Sequence, residues 1–363
     1  MDFTEIHNLL LSMVLGLTPE ILNRHYKLFF DETNNTKKFH LKDDNRLNVP
    51  VGVRFVLAGI VSDNELTQEE LNGALSLQKN AKELKFDQIY GHANWCDFAP
   101  VLKSQRLTKY LNLLDEKCAL IHFSSVNLFY FALVDIIDSL KFDINYVFRL
   151  KSILYQVAKQ NTDSFVNLFH DFTYPDVTDT DGFLGALENI IKSTNISDET
   201  GKHVLLYTIK QNKGKEELTF IQDETQNVYI KDFLPFYQEP MYKFANSDIV
   251  LDNEVDMMAG LIDWPVEVNG KRVNYSFVDS KDVPWVQMSD VAASLVARYL
   301  YFVDNDNFED VIKQFSERQL DNFRHLNRIL AASERENKLF WHFTDDIRVV
   351  GRFSDCVNKH QYY

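Results

Sequence analysis

A chain of 363 residues, 45% apolar and 25% charged, has material for one elaborated domain or two and carries no sign of extended disorder. Its 38 Lys and Arg against 53 Asp and Glu give a net charge of −15, which argues against a protein that holds nucleic acid by bulk charge; an acidic chain acts on phosphates through carboxylates that hold divalent cations. Cys96, Cys118 and Cys356 are far apart and form no CxxC, which disfavours a disulfide framework and a thiolate zinc site and fits a reducing cytosol.

In chain order, the start has acids where a signal peptide needs bases, and the apolar run 9–17 is too short to span a bilayer before Pro19. A soluble, cytoplasmic chain with no membrane span is expected. Residues 3–17 suit a helix, and Thr18-Pro19-Glu20 reads as an N-cap with Pro at the first helical position. Residues 25–31 alternate as a strand, with Asp31 at its C-terminal end on the face of His25, Lys27 and Phe29. Glu32 points the other way if the strand continues and converges with Asp31 if it stops. Residues 39–41 and 51–61 supply the next strands of an antiparallel meander, and a helix opens with a Thr67/Glu70 capping pair and runs to about residue 82.

A helix over 107–116, a buried strand over 118–126 and a helix over 128–140 follow. Residues 142–193 read as mostly helical, and 203–211 and 217–223 flank Asn212-Lys213-Gly214-Lys215 as a hairpin. Residues 248–252 form a short strand ending in Asp252, with a helix to Asp263. Residues 274–278 alternate as a strand, 279–284 turn, and 285–298 are helical, with Gln287 and Asp290 three apart on one face. Ala292, Ala293, Ser294 and Ala297 are short enough to let a strand approach the backbone beside Asp290. The segment 308–339 is an amphipathic helix or helix pair whose Arg324, Arg328 and Arg335 form either a solvated face or a phosphate-contacting ridge.

This pattern predicts an α/β (α+β) fold, a mixed sheet flanked by helices. Its parts are an N-terminal helical appendage (1–24), a core (25–141 and 241–305), a helical and hairpin insertion (142–240) and a C-terminal helical extension (306–363). Asp31 and Asp252 close strands and Asp290 lies on the thin helix. Carboxylates gathered at strand ends repel unless a hard cation such as Mg²⁺ or Mn²⁺ neutralises them, although strands also end in Asp for turn chemistry.

Asp31-Glu32 after the first strand, then FVLAGIV, Glu83-Leu84-Lys85, Asp279-Ser280-Lys281 and finally Gln287-Met288-Ser289-Asp290 resemble the domain of unknown function 3800 family. Its marks are an N-terminal DE and a C-terminal QxxD on a ribonuclease H-like fold. The resemblance spans about residues 28–301 in dispersed blocks and leaves out 142–240. The family's usual Asp-Glu-Ser-Gly is Asp-Glu-Thr-Asn here, where Asn34 can adopt the left-handed conformation of the glycine; its Leu-Gln-Leu-Ala-Asp is Val-Gln-Met-Ser-Asp.

The resemblance implies a metal-dependent nuclease acting on RNA or DNA, in a defence or toxin-like role. It makes Asp31 and Asp290 the main Mg²⁺ or Mn²⁺ ligands; beside them Asp252 is a candidate for a further ligand, and Glu32 for another ligand or a water-orienting group. Glu83 is a weaker candidate. Gln287 is placed to bond a ligand carboxylate or a substrate phosphate, and Lys281 either offsets charge on the scissile phosphate or pairs with Asp279 within the turn. The main alternative is a non-catalytic nucleic-acid- or protein-binding member of the same fold, with the insertion or the C-terminal helices meeting a protein partner; a glycoside hydrolase using two of these acids has less support. His92, His122, His170 and His203 lack HExxH spacing, and the chain has no phosphate-binding glycine loop and no GxSxG. The nuclease reading is geometric: it requires Asp31, Asp252 and Asp290 to meet.

Overall fold

The computed structural model describes residues 1–363 except Lys79, His92, Ala93, Glu216, Tyr362 and Tyr363. Its centre is a six-stranded mixed sheet of β1 (Lys27–Thr33), β2 (Arg54–Val61), β3 (Leu120–Asn127), β4 (Asp248–Asp252), β5 (Tyr275–Val278) and β6 (Trp341–Thr344), in the spatial order β6-β3-β2-β1-β4-β5. β2 runs antiparallel to its neighbours β1 and β3, while β1, β4 and β5 are mutually parallel and β6 is parallel to β3. Five strands therefore end at one edge of the sheet. All eight residues of β2 are buried: Phe55 to Val61 form an unbroken apolar run, as expected of a central strand covered on both faces, and Arg54 at the strand's start is buried with them.

Two apolar layers cover the sheet. On one face α1 (Gln68–Leu75), α2 (Gln105–Glu116), α6 (Pro284–Val303), α7 (Glu317–Glu336) and α8 (Ile347–Lys359) share a core with Ala58, Ile60 and Phe123. On the other, α3 (Leu128–Asp138), α4 (Leu234–Lys243), α5 (Val255–Asp263) and the helices of residues 147–212 share a core with Leu28, Phe30, Phe55 and Leu57. Residues 142–240 thus supply much of the layer over one face of the sheet. No helix among the described residues is long and apolar enough to cross a membrane.

The close approach expected of α6 is present. Ala292 and Ala293 are fully buried, and one turn earlier Ser289 accepts a hydrogen bond from the Ile60 amide at 3.1 Å and donates one to the Phe29 carbonyl, which stitches the helix to β2 and β1. The Thr67/Glu70 capping box forms, but α1 stops at Leu75 rather than near residue 82, because Ser76 adopts a left-handed conformation with φ 52°. Asn34 takes the left-handed conformation expected of it (φ 61°), and its amide bonds the Arg54 carbonyl at 2.8 Å.

Three expectations need correction. Phe39–His40 leaves the main sheet and pairs with Val228–Ile230, so the third strand of the meander is β3. Residues 203–211 are not a hairpin arm: they lie within the helix Glu199–Asn212, started by Asp198 accepting from the Gly201 amide, and 219–221 is a short 3-10 turn. The C-terminal extension is not all helical, since β6 adds an edge strand between α7 and α8.

Candidate functional site

The site lies where β1 and β4 end, the sheet edge at which open α/β sheets present ligands. Register places Phe30 beside Leu251, so Asp31 and Asp252 are neighbours on adjacent parallel strands, on the face that α6 covers. Asp290 descends from α6 to that face. Asp31 feels the other acids: burial, then the charges of Glu32, Asp290 and Asp252, push its carboxyl well above the ordinary range, with Lys85 opposing. Burial also raises Asp290, against a hydrogen bond from the Phe86 amide at 2.9 Å and the charge of Lys85. Asp31 Oδ1 accepts from the Glu32 amide at 2.8 Å, whereas Asp31 Oδ2 is buried with no hydrogen-bond partner.

Glu32 does not join them. β1 continues to Thr33, so alternation turns Glu32 to the opposite face, where the Tyr237 hydroxyl of α4 and Asn35 bond it; burial still raises its carboxyl.

The blocks Glu83-Leu84-Lys85, Asp279-Ser280-Lys281 and Gln287-Met288-Ser289-Asp290, dispersed in sequence, are joined by hydrogen bonds. Gln287 is fully buried and spends its whole amide: Oε1 accepts from the Leu84 amide at 2.7 Å, and Nε2 donates to the Ser280 carbonyl at 2.7 Å and to Gln68 Oε1 at 2.8 Å. It therefore holds the chain around the acids rather than a ligand carboxylate or a phosphate. Ser280 in turn donates its amide to Asp252 Oδ1 (3.1 Å) and its hydroxyl to Glu83 Oε1 (3.0 Å). Glu83 pairs with Lys85 at 2.9 Å; burial opposes its ionisation, but Lys85 and Ser280 together hold its carboxyl below the usual value.

Lys281 turns to Asp279, and its charge reaches Glu83. It is exposed, 3.8 Å from Asp279, on the wall of a cleft of about 910 Å³ between α1 and residues 279–282. Arg298 acts on Asp290, and Lys85 acts on both Asp31 and Asp290, its own charge opposed by burial and favoured by Glu83, Asp31 and Asp290. Only its place in the Glu83-Leu84-Lys85 block signals this in the sequence. Among the described residues, no three His, Cys, Asp or Glu side chains are arranged to hold an ion by themselves. His122 is buried among aromatic rings, His170 and His203 are exposed, and His92 lies outside the described residues.

No family model matches the chain, and no curated protein or solved structure matches it either.

Proposed function

We propose that this chain is a Mg²⁺- or Mn²⁺-dependent nuclease with a ribonuclease H-like core, hydrolysing phosphodiester bonds of RNA or DNA. One observation carries the reading: Asp31, Asp252 and Asp290 turn to the same face at one sheet edge, with Asp31 Oδ2 buried and unpartnered. A buried carboxylate oxygen with no donor, beside like charges, is costly unless a cation joins it. An antiparallel meander with two further strands parallel to β1 on its other side is in keeping with a ribonuclease H-like sheet. So is the meeting of the motif blocks around Gln287.

The residues present fit Mg²⁺ or Mn²⁺ better than an ion needing a closed protein cage. Mg²⁺ keeps several waters and takes one or two carboxylates, and Asp31 offers a buried carboxylate oxygen left without a donor. Asp31 and Asp290 would hold it, with Asp252 as the further ligand. Such an ion supplies activation of water and stabilisation of charge on the leaving oxygen. The chain's own part is orientation. The Phe86 amide fixes Asp290, the Ser280 amide fixes Asp252, and Gln287 ties both supporting segments to α6.

A non-catalytic binding member of the same fold is the second reading, favoured by the lack of a ready three-ligand set among the described residues. Cleavage of a panel of single- and double-stranded RNA and DNA with Mg²⁺, Mn²⁺ or chelator separates the two. The nuclease reading expects metal-dependent cleavage lost in folded Asp31→Asn and Asp290→Asn proteins; cleavage of nothing, or equal cleavage by the variants, overturns it.

A further inference from the structure

We propose that Lys85 holds the phosphoryl oxygens of the substrate beside Asp31 and Asp290, and that residues 83–86 are shaped to deliver it there. The inference rests on the nuclease reading for the identity of the ligand as a phosphodiester.

The delivery is built into the backbone. The amide before Lys85, that of Leu84, bonds Gln287 at 2.7 Å, and the amide after it, that of Phe86, bonds Asp290 at 2.9 Å. Gln287 and Asp290 are one turn apart on α6, so the two ends of the QxxD block pin the chain on either side of Lys85. A side chain can hardly be anchored more firmly at its root.

Its tip reaches solvent. The ammonium rests 2.9 Å from Glu83 Oε1 with 48% of the side chain exposed, while Glu83 is itself held by Ser280. A lysine serving only to neutralise the acids would be buried against them. Lys85 instead rests at the rim on a separate carboxylate, Glu83, on a flexible stem with three rotatable donors. That position suits an incoming anion. In a chain of net charge −15, a polyanion meets general repulsion, so a positive group at the mouth of the acidic site decides where a phosphate can settle. Lys281, by contrast, faces the cleft beside Asp279.

Three measurements on Lys85→Gln, Lys85→Arg and Lys281→Gln test this. They are binding of a fluorescent phosphorothioate oligonucleotide in Ca²⁺, cleavage of the matching phosphodiester in Mn²⁺, and Mn²⁺ binding by calorimetry without nucleic acid. Lys85→Gln should weaken oligonucleotide binding by about tenfold or more and lower cleavage at least as far, as expected for loss of a charge-assisted contact. Its Mn²⁺ affinity should hold or rise, because a competing cation has been removed. Lys85→Arg should recover much of the oligonucleotide binding, and Lys281→Gln should resemble wild type. Unchanged oligonucleotide binding in Lys85→Gln overturns the proposal, as does a parallel fall in Mn²⁺ affinity, which would mean that Lys85 merely arranges the acids. Lys85-dependent binding without cleavage by the wild type defeats the nuclease reading and leaves Lys85 as the phosphate-holding group. Wild-type cleavage matched by Lys85→Gln defeats Lys85 alone, and neither binding nor cleavage by the wild type defeats both.

Discussion

Two groups of buried carboxylates lie along the same edge of the sheet, and they are treated in opposite ways. At the end of β6 and α6, Asp345 and Asp304 close on Arg54, whose side chain is wholly buried: its Nε lies 2.5 Å from Asp345 and its Nη2 3.1 Å from Asp304. Asn127, Tyr155 and Lys159 supply further donors at 2.7–3.0 Å. Burial opposes the ionised form of Asp304, but Arg54 and Lys159 prevail and hold its carboxyl below the ordinary value; Asp345, deeper still, stays raised despite Arg54. At the end of β1 and β4, no guanidinium among the described residues bonds Asp31, and one of its oxygens has no donor. Where this fold needs buried acids for structure, it brings cations to them, so the acids left short of charge and donors call for another explanation.

The sharpest way to break this comparison is to remove Arg54. Arg54→Met leaves Asp304 and Asp345 buried and short of charge, and such losses cost about 3–5 kcal/mol. Urea unfolding should show that loss; a change within about 0.5 kcal/mol, the scale of ordinary surface substitutions, would mean that the network is not structural.

Asp31→Asn should do the reverse. Removing a charge that burial and its neighbours disfavour should leave the metal-free protein as stable at neutral pH or more so, while abolishing cleavage. Mn²⁺ at a hundred times its dissociation constant should stabilise the wild type by about 2.7 kcal/mol and the variant by almost nothing. The pH signs differ as well. The Asp31 carboxyl is raised in the folded state, so its contribution is fully present below the ordinary carboxylate range and lost as pH rises through its elevated value. The Asp304 carboxyl is depressed, so its contribution is present above that range and lost as pH falls through its lowered value. Since a cation requires the ionised carboxylate, Mn²⁺ stabilisation should grow as pH rises through the Asp31 transition. Thermal melts across pH, with and without Mn²⁺, test both signs; a metal effect that shrinks with rising pH would defeat the assignment of Asp31 as ligand.

Much of this arrangement was legible from the residues. The strand ending at Asp252, the helix of Gln287 and Asp290, and the close approach of that helix to the sheet follow from alternation, helical spacing and small side chains. What escaped depends on distant partners. Phe39 alternates like a core strand but is drawn off by Val228–Ile230, whose position no local pattern reveals. Residues 203–211 have the Val, Tyr, Thr and Ile of a strand, yet packing and the Asp198 cap make them a helix. Glu32 was ambiguous until the length of β1 was known, and Lys85 gained its place only through amides held by side chains some 200 residues away.

Gln287 tests whether the unpaired site depends on that long-range bracing. Gln287→Leu keeps the bulk of the side chain but strands the Leu84 amide and the Ser280 carbonyl, at a cost of about 1–3 kcal/mol. Because both segments carry the supports of the acids, Mn²⁺ affinity should fall by about 10–100-fold, the scale seen when a ligand's outer partner is lost. Unaltered Mn²⁺ affinity in the folded variant would separate the bracing from the site.

The smallest effect is expected at Lys281, and it discriminates between sequence neighbours. Lys281 belongs to the Asp279-Ser280-Lys281 block, yet Ser280 is buried and bonded to both Asp252 and Glu83 while Lys281 is exposed beside Asp279. An exposed pair of this kind is worth at most about 1 kcal/mol and is screened by salt. Lys281→Ala should therefore unfold within about 0.5 kcal/mol of the wild type, with cleavage changed by no more than about twofold. A large loss of cleavage would bring Lys281 into the site and shift the path of the substrate from Lys85 toward the cleft beside α1. A small one leaves the buried serine as the reason that this block belongs with the acids.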